Sequence, residues 1–100
     1  MNTFNFFGHL ATSVGKTVPD TGDDVLVKKN GGYRKVVCRE GRLLGAAFLD
    51  TDIDAGVIQY LIRRQVDLGK YKDALLEAPR EVAFRLMHEA EKADTITKEE

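Results

Sequence analysis

The feature that most constrains the fold is a continuous apolar run at residues 43–49, directly after the turn-forming pair Glu40 and Gly41. A strand whose successive side chains are all apolar is typical of a strand buried on both faces. We therefore expect this strand to lie centrally in a sheet. Helices of this chain should cover one face of the sheet, and another part of a larger protein should cover the other.

Other strands are predicted before this run. Residues 4–15 read as one extended apolar strand, and residues 24–29 and 33–39 as two further strands separated by Asn30, Gly31 and Gly32. Asn and Gly adopt positive φ at low cost, so this triplet favours a tight hairpin turn. Pro19 and Gly22 mark the intervening residues 16–23 as a loop.

Helices are predicted after the run. Asp50, Thr51 and Asp52 supply N-cap oxygens for a helix that extends to about Gln65, and Arg63 and Arg64 suit its C-terminal end. A short helix at residues 71–77 and a last helix beginning near Pro79 follow.

The predicted fold class is α+β, because the strands precede the helices instead of alternating with them. We expect an antiparallel meander of about four strands followed by two or three C-terminal helices. A chain of 100 residues with 43% hydrophobic residues fits one domain, which we place at residues 1–93 with a flexible tail at residues 94–100.

Composition and charge limit the classes of partner. Fifteen Lys and Arg against sixteen Asp and Glu disfavour a nucleic-acid partner, which requires clustered positive charge. The nearest basic patch is expected to be solvated surface and comprises Arg34, Lys35, Arg39 and Arg42. No apolar stretch approaches the roughly 20 residues that span a bilayer, so no membrane partner is expected. Without a signal-peptide pattern at residues 1–5, the cytoplasm is the expected location.

Three alternating carboxylates, Asp50, Asp52 and Asp54, resemble the opening of a calcium-binding loop. Such a loop needs Gly at its sixth position and a bidentate Glu at its twelfth, where this sequence has Ala55 and Leu61. We therefore expect these carboxylates to cap the following helix and predict no metal site.

Other candidate chemistry is incomplete. His9 and His88 lie far apart in sequence without ligand-spaced partners, and Ser13 lacks the motif of a nucleophile elbow. Gly31 is expected in a hairpin and not in a phosphate-binding loop. Cys38 has no second cysteine and is expected to be a buried small hydrophobe. The sequence thus predicts no catalytic residue, and an autonomous small enzyme is disfavoured.

Two stretches carry a family resemblance. The first is NFFG at residues 5–8 with SVG at residues 13–15; the second is YRKVVCREGRLLGA at residues 33–46, followed by DAG at 54–56 and LIR at 61–63. Together they resemble the C-terminal domain of FAD-dependent pyridine nucleotide–disulfide oxidoreductases, in the branch of NADH oxidase, rubredoxin reductase and the nitrite reductase large subunit. The resemblance extends from about residue 2 to about residue 76.

This resemblance implies a role within a larger flavoprotein. In such enzymes NAD(P)H passes a hydride to FAD, and the reduced flavin passes electrons to an acceptor. The domain would pack on the FAD- and NAD-binding domains of the same chain and form part of the acceptor or subunit interface. Its implied partners include a redox acceptor protein and a second copy in a homo-oligomer. The resemblance implies that Phe6 and Phe7 are flavin-proximal in the intact enzyme, and that the domain alone binds no cofactor and is not catalytic.

A second interpretation stays open, in which the chain is a free-standing protein-interaction module without catalytic activity. The two interpretations differ in Met1, which is an internal or engineered start in the first and the true beginning of the gene product in the second. Both need a partner to cover one face of the sheet.

Overall fold

The strands of this computed structural model precede its helices, and the described residues are 2–6, 9–29 and 32–99. The strands are β1 (Asn2–Phe6), β2 (His9–Gly15), β3 (Asp24–Lys28), β4 (Tyr33–Arg39) and β5 (Arg42–Leu49). The helices are α1 (Ala55–Arg63), α2 (Lys72–Glu77) and α3 (Pro79–Glu99), with a 3₁₀ turn at Gly69–Tyr71. The predicted α+β class, with an antiparallel sheet followed by helices, is confirmed.

Five strands form one antiparallel sheet within the described residues, in the order β1-β2-β5-β4-β3. The sheet has one strand more than the four expected, because the stretch predicted as a single strand at residues 4–15 takes in the end of β1 and all of β2. Strands β3, β4 and β5 form the predicted meander, and β5 is central as expected. The meander does not include β2, which pairs with β5, so residues 16–23 carry the chain across to the far edge.

The helices cover one face of the sheet and enclose the core with it. The sheet side chains that enter this core alternate along their strands and are Val14, Val36, Cys38, Ala46 and Phe48. The helical side chains that meet them include Ile58, Leu61, Leu75, Ala83 and Leu86. Ile58, Leu61 and Leu75 are fully buried. Burial of a side chain of this size stabilises a fold by roughly 1.5–3 kcal/mol, so α1 and α2 are held mainly by this packing.

The helix boundaries agree with several sequence signals. Helix α1 ends at Arg63 with Arg64 as its C-cap, and α3 begins at Pro79. The backbone of α3 is helical as far as Glu99, while the flexible tail expected at residues 94–100 and the domain limits of 1–93 stay predictions. No described helix combines the length and the apolar character needed to cross a membrane.

Gly45 in β5 lies where another part of the chain passes directly over the sheet. The residue after β2 is Lys16, whose N–H donates to the Leu44 carbonyl over 3.0 Å. A Cβ added to Gly45 would lie 1.9 Å from the Lys16 carbonyl oxygen, well inside any van der Waals contact. Glycine is therefore required at this position, because the crossing of residues 16–23 uses the space of a side chain.

Replacing Gly45 by Ala is expected to destabilise the domain by about 1–3 kcal/mol, the usual cost of forcing extra volume into a packed site. The measurement is urea unfolding followed by circular dichroism. Gly56→Ala is the matched control, because its added Cβ would meet only the Asp54 carboxylate, at 3.3 Å, and helix propensity favours Ala. Equal stability of the two variants would contradict the close-approach argument.

Candidate functional site

The face of the sheet opposite the helices is the candidate functional surface, and we call it the open face. Its members alternate with the core residues along β2, β3, β4 and β5, and no described helix packs on them. They are Ala11, Ser13, Val25, Val27, Tyr33, Lys35, Ala47 and Leu49.

Apolar side chains dominate the open face. Val25, Val27 and Leu49 are 41%, 46% and 37% exposed, although side chains of these types are usually buried in sheets. Lys35 is the one charged member, and within the described residues it makes no ion pair. An exposed apolar group on a sheet indicates a surface that another protein segment covers.

A shallow groove runs along the open face between β2 and β5. It has a volume of about 200 Å³, and its lining includes Ala11, Ser13, Ala47, Tyr33 and Leu49. Small side chains on two neighbouring strands leave room for an apolar group to approach the backbone closely. The lining carries no titratable group except the Tyr33 phenol, so the groove fits packing better than acid–base catalysis.

One end of the open face is closed by the crossing segment, residues 16–23. Lys16 Nζ lies 2.7 Å from Asp20 Oδ2 and 2.8 Å from Asp23 Oδ2. Arg39 Nε lies 2.9 Å from Asp23 Oδ1, close enough for an ion pair although its N–H is not aligned for a hydrogen bond. Arg39 also donates to the Thr21 carbonyl over 3.0 Å. These contacts fasten the crossing segment to β4.

The ion pairs at this end shift two pKa values. The pKa of Asp23 is lowered to about 2, first because Lys16 donates to its carboxylate and second because the Asp20 N–H does so. The positive charge of Arg39 acts in the same direction. The pKa of Lys16 is raised, chiefly by its hydrogen bonds to Asp20 and then Asp23.

The predicted site residues Phe6 and Phe7 are only partly placed. Phe6 is the last residue of β1, and its Cα pairs with that of His9 in β2. Phe7 lies outside the described residues. The end of β1 is at the end of the sheet where Ala11, Leu49 and Tyr33 form one cross-strand row. The flavin-proximal role of Phe6 and Phe7 stays a prediction.

The three carboxylates after β5 have separate partners. Asp54 caps α1 by accepting from the Val57 N–H over 3.1 Å, which confirms the capping expected of Asp54, whereas the N-cap predicted at residues 50–52 is wrong in position. Asp50 accepts from the Leu10 N–H over 3.1 Å, and Asp52 lies 3.4 Å from Arg80 Nη1. Within the described residues, no three His, Cys, Asp or Glu side chains are grouped as metal ligands.

The basic residues grouped in the sequence diverge in the structure. Arg34 lies on the helix-covered face, where Nη1 donates to the Leu76 and Glu77 carbonyls over 2.6 and 2.9 Å and so satisfies the C-terminal end of α2. Lys35 lies on the open face, and Arg39 pairs with Asp23. The expectation of an exposed basic face therefore fails for Arg34, whose role is to hold a helix.

Cys38 is fully buried on the helix-covered face, as expected for a small hydrophobe. Burial raises the pKa of its thiol, which disfavours the reactive thiolate. His88 is exposed on α3.

Sequence reasoning missed two residues that shape the open face, Gly45 and Asp23. A lone glycine inside a strand often marks a close backbone approach, and that signal was present at Gly45. Asp23 had no comparable signal, since its partners Lys16 and Arg39 are brought to it by the crossing of the chain.

The fold and the open face together define a small α+β domain with one covered and one uncovered sheet face. No family profile matches the chain. The chain is similar to the epsilon subunit of the NADH-dependent phenylglyoxylate dehydrogenase of Aromatoleum evansii, with 35% identity over 91 residues. The match takes in 87% of this chain and 22% of that subunit, so the chain spans about a fifth of the length of this curated relative. The chain is therefore similar to one portion of an oxidoreductase subunit.

Asp54→Ala is expected to destabilise the domain by about 1 kcal/mol, because the Val57 N–H at the start of α1 loses its acceptor. Asp52→Ala is the matched control and should cost less than about 0.5 kcal/mol, since Asp52 is largely exposed and its pair with Arg80 is long. Urea unfolding of both variants measures the difference. A larger loss for Asp52→Ala would overturn the assignment of the cap.

Protonation of Asp23 should weaken the fold in acid. Because the folded-state pKa of about 2 lies below the ordinary value of 3.8, the ionised carboxylate contributes stability above pH 4. That contribution is lost as the pH falls from about 4 to about 2. Thermal unfolding at several pH values should show the advantage of the wild type over Asp23→Asn disappearing in this window.

Glu89→Gln is the control for this titration, because it removes an exposed carboxylate of α3, a helix that packs on α1 and α2. It should reproduce the wild-type pH dependence. A wild type and an Asp23→Asn variant whose melting temperatures stay a constant distance apart from pH 6 to pH 2 would contradict the role of Asp23.

Proposed function

We propose that this chain is the C-terminal domain of a flavin-dependent NAD(P)H oxidoreductase of the pyridine nucleotide–disulfide oxidoreductase type. Its open face packs on the FAD- and NAD-binding domains of the same protein and contributes to the acceptor or subunit interface. The observation that carries the proposal is a sheet with one apolar face uncovered, in a chain similar to part of an NADH-dependent dehydrogenase subunit.

The side chains of the groove indicate which step this domain performs and which step the larger body performs. The groove between β2 and β5 offers small residues and aromatic or aliphatic edges, which suit protein packing. Electron transfer then belongs to the cofactors of the larger body, where FAD accepts the hydride of NAD(P)H. In this proposal the domain binds neither cofactor by itself and positions the body that does.

Phe6 and Phe7 keep a place in the proposal as flavin-proximal residues. Support comes from β1, which ends at the sheet end where Tyr33 and Leu49 line the groove. A body seated in that groove would therefore also lie near Phe6, the last residue of β1. The proposed location is the cytoplasm, where flavin and NAD(P)H are both supplied.

Lys35 places one positive charge on the otherwise uncharged open face. It lies in one cross-strand row with Ser13, Ala47 and Val27, and two residues of that row, Ser13 and Ala47, line the groove. A carboxylate of the covering domain opposite Lys35 would form an ion pair and help to fix the orientation of the two surfaces.

The test is to purify the native protein from its source cells and to record its intact mass and its flavin absorbance. We expect this sequence within a flavin-bearing assembly several-fold heavier than the 11.2 kDa of the chain. Leu49→Asp, introduced into the gene, should lower the flavin retained per mole of purified protein at least about tenfold, because an unpaired charge in the apolar contact loosens the packing on the flavin-binding domain.

Val18→Asp is the matched control, because Val18 is 75% exposed in the crossing segment and outside the open face. It should leave the flavin content unchanged. A colourless native protein of about 11.2 kDa would end the flavoenzyme proposal and favour the free-standing interaction module. If both variants lost the same amount of flavin, the loss could not be assigned to the open face, and the proposed contact would be contradicted.

A further inference from the structure

The edge of the sheet at β3 offers a second interaction surface, separate from the open face. Strand β3 pairs with β4 along one side, and within the described residues no strand pairs along its other side. Its five residues contain no proline, and the register with β4 has no bulge. Such a regular edge presents unpaired N–H and C=O groups that can bind a further strand.

The sequence of this edge is complementary to itself when two copies run antiparallel. The strand reads Asp24, Val25, Leu26, Val27, Lys28. Pairing about Leu26 sets each Asp24 opposite a Lys28 and each Val25 opposite a Val27. Every one of the five cross-strand pairs then joins opposite charges or two apolar side chains, which is the combination that stabilises antiparallel pairs.

Other registers lose this match. Centring the pair on Val25 sets Asp24 opposite Leu26, and centring it on Val27 sets Lys28 opposite Leu26. The register about Leu26 also sets both Val25 and Val27, members of the open face, opposite a valine of the other copy, whereas the registers about Val25 and Val27 do so for only one of them. One register is therefore favoured over its neighbours by both charge and burial.

We propose that two copies of this chain associate edge to edge through β3, antiparallel about Leu26, to form one continuous sheet. The interface is isologous, so each pair between Asp24 and Lys28 occurs twice across a two-fold axis. This inference goes beyond the proposed function by naming the strand edge, the register and the residue pairs of a contact between copies, and it requires neither flavin nor the open face.

The charges at this edge are available for such pairing. Asp24 is exposed and makes no ion pair within the described part of the chain. Lys28 pairs with Glu77 at the end of α2, at the same sheet edge. An ammonium group has three N–H donors, so Lys28 can bind Glu77 and the Asp24 carboxylate of a second copy together.

The contact adds apolar area as well as charge. Val25 and Val27 are 41% and 46% exposed in a single copy. In the pair, Val25 of each copy would contact Val27 of the other. Five residue pairs make a small interface by the standards of stable dimers, so the association is expected to be weak and reversible.

Sedimentation velocity of the complete chain, at concentrations up to about 0.5 mM, measures this association. Asp24→Lys sets Lys opposite Lys28 twice, and Lys28→Asp sets Asp opposite Asp24 twice. Each variant alone should dimerise at least roughly tenfold more weakly than the wild type, because like charges face each other across the strands. An equimolar mixture of the two should recover dimer, since it places opposite charges at both pairs.

Glu89→Lys is the control, because it makes the same charge change at an exposed position of α3, a helix that packs on α1 and α2. It should dimerise as the wild type does. Circular dichroism checks the fold of each variant. If repulsion from Glu77 unfolds Lys28→Asp, Lys28→Gln takes its place. The dissociation constant of the Lys28→Gln dimer is expected to lie between those of the wild type and Asp24→Lys.

A wild type that stays monomeric over the whole concentration range would overturn the proposal. A mixture of the two charge variants that stays as weak as either alone would overturn the register. Neither result bears on the open face, whose test is the retention of flavin by Leu49→Asp and Val18→Asp. The two proposals can therefore fail separately.

Discussion

The close approach of Lys16 to Gly45 is the constraint on which the rest of this sheet depends. Strand β2 pairs with β5 as far as Gly15 and Gly45, and the chain then turns over β5 toward the far edge. That route lets β2 lie beside the central strand while β3 begins on the other side of β4. Any side chain at position 45 would push the crossing segment away from the sheet and remove the backbone hydrogen bond from Lys16 to Leu44.

This crossing also explains why the two faces of the sheet differ. All three helices follow β5 and pack on one face, where Val36, Ala46 and Phe48 join the core. Among the residues that the structure describes, only the segment 16–23 lies on the other face, and it is held at one end by Asp23 between Lys16 and Arg39. The remainder stays uncovered, with exposed valines and a shallow groove. An apolar surface of this kind is costly in water, which is the physical reason for expecting another protein segment on it.

Local signals predicted most of the elements and the pairing of β3, β4 and β5, whereas the predicted meander placed the first strand wrongly. The bounds of β4 and β5 and the start of α3 followed from glycine turns, apolar patterning and Pro79. The pairing of β2 with β5 could not be predicted in this way, because it depends on the crossing of residues 16–23, which becomes favourable only in the assembled sheet. The structural role of Asp23 could not be predicted for the same reason, because its partners are brought to it by that crossing. The open face was predictable in kind from residues 43–49, which are apolar on both sides. Its groove was not, since it arises from small residues of β2 and β5 that meet only in the folded sheet.

The two proposed surfaces are compatible because they use different directions of the same sheet. Docking on the open face acts perpendicular to the sheet, whereas pairing through β3 extends the sheet in its own plane. In a pair of copies, Val25 and Val27 of both would lie side by side, and the two open faces would become one continuous surface. Covering that surface would bury valines from both copies at once, so docking and pairing would each strengthen the other through shared apolar contact. By thermodynamic linkage, any body that binds across both copies must also favour the paired form, which makes the β3 edge a means of coupling two docked bodies.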